Sequence, residues 1–88
     1  MNSQYKFAVI GAGNAGMAYA AELKLKNQIV HFYNRTEKNI ADILQNGNII
    51  RIDGNIEPKG KAEIDLVSSN LSDTVSGADV IIIVIPAN

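Results

Sequence analysis

Tyr5-Lys6-Phe7-Ala8-Val9-Ile10-Gly11-Ala12-Gly13-Asn14-Ala15-Gly16 carries an almost unbroken apolar run straight into G-x-G-x-x-G. Continuous apolarity suits a parallel strand covered on both faces. A helical pattern follows at once: over Asn14 to Lys26, Gly16, Ala20 and Leu23 share one face while Glu22 and Lys26 point away. Strand, glycine turn and helix in this order form a dinucleotide-binding fingerprint. Gly11 allows the tight turn, Gly13 lets a pyrophosphate approach the backbone, and Gly16 lets the helix lie close to the strand.

The pattern repeats downstream. Asn27 is suited to a left-handed helix end, and Ile29-Val30-His31-Phe32-Tyr33 reads as a second strand. Thr36 is placed to cap a second helix running through Asn46, with Ile40, Ile43 and Leu44 as its buried stripe and Gly47 at its end. Asn48 to Lys61 breaks the rhythm. Ile49-Ile50-Arg51-Ile52, the turn signal Asp53-Gly54, then Pro58 and Gly60 predict an inserted hairpin. Ile64 to Val67 is the third sheet strand, and Asn70 with Asp73 marks a short helix running to Ser76, closed by Gly77. Val80 to Ile85 is a run of six β-branched residues that belongs inside a sheet. The expected fold is α/β: a partial Rossmann fold with parallel sheet order 3-2-1-4 and an inserted β-hairpin.

Composition sets the limits. The 88 residues are 47% hydrophobic and 19% charged, enough for one small globular domain. A chain of this length buries only about 60–65% of its unfolded surface. Net charge is −1, which argues against nucleic acid or an anionic membrane surface as a partner. There is no cysteine, so disulfides and thiolate metal sites are excluded. Phe7 to Ile10 is too short for a signal or membrane segment, and the expected location is cytoplasmic.

The candidate cofactor-binding residues are Gly11, Ala12, Gly13, Asn14, Ala15 and Gly16 in the turn, Asn34, Arg35 and Thr36 after the second strand, and Pro86 after the last. N–H groups at a helix start meet phosphates, helped by the helix dipole. Asn14 either contacts a phosphate or bonds the local backbone. NAD-selective sites carry an acid at the end of the second strand to bond the ribose. Here Asn34-Arg35-Thr36 offers no carboxylate, and Arg35 has the planar fork that suits a 2′-phosphate. NADP is the preferred cofactor on this reading. In the alternative, Asn34 holds the ribose of NAD, Arg35 stacks on adenine and Thr36 is only a cap. Pro86 flanks the inner, nicotinamide side by its place beyond the carboxyl end of a strand. His31, lying within a strand, reads as a packing or surface residue, and Tyr5, Tyr19 and Tyr33 as packing residues. Lys38, Arg51, Asp53, Lys59 and Lys61 read as solvated surface. No metal cluster and no nucleophile–base set can be assembled.

The chain resembles the N-terminal portion of opine dehydrogenases, the octopine/nopaline dehydrogenase family. The likeness rests on Ala8-Val9-Ile10-Gly11-Ala12-Gly13-Asn14-Ala15-Gly16, on Phe32-Tyr33-Asn34-Arg35-Thr36, on the hairpin, and on Gly77-Ala78-Asp79-Val80-Ile81 leading to Val84-Ile85-Pro86-Ala87. The first motif is shared with glycerol-3-phosphate dehydrogenases and ketopantoate reductases. The resemblance implies an oxidoreductase that reduces, with NAD(P)H, an imine formed from a keto acid and an amino acid. It implies catalytic residues in a second, helical domain, so no catalytic residue is assigned. Residues 1–88 are read as the N-terminal part of a dinucleotide-binding domain, with no turnover expected from this polypeptide alone. Two rival readings stand beside it: a non-enzymatic NAD(P)-sensing module, and a fragment of another Rossmann dehydrogenase of the glycerol-3-phosphate dehydrogenase or ketopantoate reductase type. The strand at 80–85, if left at a sheet border, offers an edge for homo-oligomerisation.

Overall fold

A computed structural model of the chain describes residues 4–11, 13–52 and 60–85, apart from the side chains of Asn14, Asn39 and Ile52. The chain order is β1 (Lys6–Ile10), α1 (Gly13–Leu25), β2 (Ile29–Tyr33), α2 (Glu37–Gln45), β3 (Ile49–Ile52), β4 (Gly60–Glu63), β5 (Leu66–Ser68), α3 (Leu71–Val75) and β6 (Val80–Ile83). Strands β5, β2, β1 and β6 form one parallel sheet in that order, and β3 with β4 forms a separate antiparallel pair. Counting only sheet strands, this is the expected 3-2-1-4 arrangement with a hairpin inserted before the third. The expected turn at Asp53-Gly54 and the break at Pro58 lie outside the described residues.

Strand register explains which side chains form the core. Val9 stands beside Phe32, and both belong to a buried cluster with Ala20, Ala21, Val30, Ile40 and Ile43. The helices α1 and α2 therefore cover one face of the sheet. Ala8 stands beside His31 on the other face, where α3 packs and the His31 Nδ1 lies 3.0 Å from the Thr74 carbonyl oxygen. That contact ties the half-buried His31 ring to α3.

Helix ends follow local chemistry. Asn27, Gly47 and Gly77 adopt positive φ after α1, α2 and α3. The Asn70 Oδ1 accepts from the Asp73 N–H at 2.9 Å and so caps α3.

Four expectations need correction. Leu44 is 47% exposed, because α2 buries only the narrow face of Ile40 and Ile43. Thr36 occupies the cap position of α2 but makes no side-chain cap hydrogen bond. The third sheet strand begins at Leu66, not Ile64, because the Ile64 N–H donates to Asn48 and closes the base of the hairpin. Val80–Ile83 lies at the sheet border, with Ile81 52% and Ile83 66% exposed, although its composition is that of an interior strand. In addition, Tyr5 and Tyr19 are each more than half exposed and pack only in part.

Candidate functional site at the carboxyl edge of the sheet

All four strands of the parallel sheet end on one edge, and the chain reverses its direction of strand addition between β1 and β6. Such a reversal opens a crevice where ligands bind in α/β sheets. Gly11 sits at the end of β1, in that crevice. Its N–H donates to the Tyr33 carbonyl at 3.2 Å, while Val84, after β6, donates to Ile10 at 2.7 Å.

Here the two ends of the fingerprint touch. A Cβ on Gly11 would lie 3.0 Å from the Gly16 Cα and 3.3 Å from the Val84 Cβ. A Cβ on Gly16 would lie 3.1 Å from the Phe32 ring and 3.2 Å from the Gly11 Cα. Space, not an unusual dihedral, is what these positions require of glycine. The head of α1 is thereby drawn down onto the end of β1, and Gly13 opens the helix. Ala15, two residues on, is exposed. This backbone geometry fits a pyrophosphate group, whose oxygens need bare N–H groups at a helix start. Ala12, the Asn14 side chain and Pro86 lie outside the described residues.

The second part of the site follows β2. Asn34 is buried, with 5% of its surface exposed, while Arg35 and Thr36 are exposed beside it. The Asn34 Nδ2 donates to the Gly11 carbonyl at 3.3 Å, and its Oδ1 accepts from the Thr36 N–H at 3.0 Å. Its own N–H donates to Ser68, at the end of β5, at 3.2 Å. The structure thus brings Gly11, Gly16, Asn34, Arg35 and Thr36 to one edge. It also turns the Asn34 side chain to the protein itself.

Glu37 is a residue that the sequence reading missed. It stands in the first turn of α2, where a carboxylate suits the helix dipole, and the Ser69 Oγ donates to it at 3.4 Å. An acid is therefore present three residues beyond the position where one is usually sought. The signal lay in the sequence, but its reach depends on where α2 begins.

Among the described residues no group of His, Cys, Asp and Glu could hold a metal ion, and no helix is long and apolar enough to cross a membrane.

Residues 7–88 match the ketopantoate reductase PanE/ApbA family. The chain belongs to that family. The match begins inside β1 and takes in the glycine turn, the segment after β2, the hairpin and β6. The chain is also 41% identical, over 81 residues, to an opine dehydrogenase from Arthrobacter sp. (strain 1C). That similarity covers 92% of this chain and 22% of the relative. The resemblance to opine dehydrogenases therefore extends over nearly all of the chain, which spans about a fifth of the length of the curated relative it matches.

Proposed function

We propose that residues 1–88 are the cofactor-holding part of an oxidoreductase, with the ADP portion of a nicotinamide dinucleotide lying over the turn from Gly11 to Gly16. The observation that carries this reading is the contact between Gly11 and Gly16 at the head of α1. It leaves the backbone bare where a diphosphate would approach. Ala12, Gly13, Asn14 and Ala15 line the same turn in this reading, and Pro86 flanks the nicotinamide side. Membership of the ketopantoate reductase family and the opine dehydrogenase relative support an oxidoreductase. The reaction proposed is reduction of an imine formed from a keto acid and an amino acid.

The dinucleotide, when bound, would supply the hydride. The chain's own contribution is to bind and orient it. Backbone N–H groups at the start of α1 donate to phosphate oxygens, and Val84 closes the floor behind Gly11. Arg35, exposed at the start of the α2 segment, is assigned to a 2′-phosphate, which makes NADP the preferred cofactor. Glu37 is the feature that favours NAD instead, since a carboxylate at this edge would repel a 2′-phosphate and accept from a ribose hydroxyl.

The test is to titrate the 88-residue chain with NADP and with NAD, following backbone amide resonances. Shifts at residues 11–16 are expected with both. Saturating either nucleotide without movement there would overturn the reading. Replacing Arg35 by Ala should weaken NADP by about 1.5–3 kcal/mol, the worth of a hydrogen bond to a charged group, and leave NAD nearly unchanged. Equal loss for both would remove the 2′-phosphate assignment.

A homo-oligomer through β6 is part of the same proposal. Among the described residues no strand pairs with its outer edge, and Val80, Ile81, Ile83 and Ile85 are exposed. A second copy adding its own β6 would cover that edge.

A further inference from the structure

Among the described residues, Asn34 differs from every other polar side chain at the carboxyl edge in being buried and in spanning two pieces of the site. The Gly11 carbonyl can only accept and the Thr36 N–H can only donate, so these two partners fix which way the Asn34 amide points. One end of the amide holds the last carbonyl of the β1 edge. The other holds the backbone that presents Arg35 and begins α2. The Asn34 N–H adds a third tie, to Ser68 at the end of β5.

A carboxylate of the same shape would keep the contact with Thr36, which needs an acceptor. It would lose the contact with Gly11, which needs a donor, and would set an anionic oxygen against a carbonyl. The acid usual at this position for a ribose contact is therefore incompatible with this tie.

We propose that Asn34 is a positioning residue that joins the glycine turn and the Arg35 segment into one unit, so that grip on the diphosphate and grip on the adenosine ribose are energetically coupled. This rests on the nucleotide reading above for its ligand, but the tie itself is a property of the ligand-free chain. Arg35 then selects its target from a segment whose place is set by the turn that holds the phosphates.

The test has two arms on the full 88-residue chain. The first is ligand-free. Asn34→Asp should move the amide resonances of the Gly11–Gly16 turn while those of Thr36 to Lys38 stay close to wild type. Asn34→Ala should move both sets. Changes confined in both variants to residues 33–35 would overturn the proposal. The aspartate variant keeps the shape and the α2 contact, so this arm stands if the alanine variant does not fold. It also stands if the wild-type chain binds no nucleotide, an outcome that would sink the nucleotide reading alone.

The second arm is a double-mutant cycle with NADP and NAD. In the wild-type background, Arg35→Ala is expected to weaken NADP more than about tenfold, the size of a lost charged hydrogen bond. In the Asn34→Ala background the same change should cost less than about threefold, because an unanchored Arg35 segment no longer delivers the guanidinium. Binding of NAD should also fall with Asn34→Ala, by about five- to tenfold, through the slackened turn. Asn34 acting only as a filler of a buried polar site would weaken both nucleotides alike and leave the Arg35→Ala penalty at its full size. That result would refute the coupling.

Discussion

Gly16→Ala tests the close approach of α1 to the end of β1. On helix propensity alone the change should help, because alanine is better than glycine by about 1 kcal/mol inside a helix. The structure opposes this. The new methyl would stand 3.1 Å from the Phe32 ring and 3.2 Å from the Gly11 Cα. Phe32 is 1% exposed, so its ring has no solvent to swing into, and the Gly11 Cα is backbone. Either the helix start lifts or the core shifts, and forcing a methyl into a packed core costs about 1–3 kcal/mol. The two effects sum to a net loss centred on about 1 kcal/mol. For a domain of this size that lowers Tm by about 4–8 °C. Thermal and urea unfolding followed by circular dichroism would measure it. Ala18→Gly, on the exposed side of α1, is the control and should lose about 1 kcal/mol through propensity alone. If Gly16→Ala raised Tm by as much as Ala18→Gly lowers it, the crowding between turn and helix would be refuted.

Other substitutions test other parts of the fold. Asn70→Ala removes the acceptor for the Asp73 N–H and should cost about 1 kcal/mol in urea unfolding. Asp65→Ala strips the Val30 N–H of its 2.7 Å acceptor as well as the Lys24 partner, and should cost about 1–3 kcal/mol. Lys24→Met loses only the partly exposed ion pair and should stay within about 1 kcal/mol of wild type. In α2, Ile40→Ala should cost about 2–5 kcal/mol, whereas Leu44→Ala, being largely exposed, should stay near 0.5 kcal/mol or below, so comparable losses would refute the corrected face of that helix. Ile81→Lys with Ile83→Lys should shift the chain toward monomer in sedimentation velocity; a wild type that is monomeric at high concentration would refute pairing through β6.

What could be read from the residues was the local part. Val30 and Phe32 alternate with His31 over a strand of five, and Asn27 marks the preceding left-handed turn, so β2 was legible to its last residue. The glycine spacing foretold the placing of α1 against β1. What was not legible depended on partners distant in sequence. Leu44 carries the same helical periodicity as Ile40, and only the width of the surface beneath α2 leaves it outside. Ile64 is as strand-like as Val67, but its N–H is taken by Asn48 across the mouth of the hairpin. Asn34 could be placed at the site from its position after β2. Its burial and its bond to Gly11 depend on an approach of loops 23 residues apart, which no local pattern encodes.

The hairpin has a consequence for how the chain breathes. Ala20 and Ala21 lie about 100° apart around α1, yet both are fully buried, so this helix must be walled on two sides. The parallel sheet supplies one wall, and β3 with β4, through Ile50 and Ala62, supplies the other. A helix clamped in this way opens only when one wall leaves, and its central amides should be among the slowest in the molecule to trade hydrogen for deuterium. The inserted β-pair, remote in sequence from the glycines, would then act as the brace that keeps their helix from fraying.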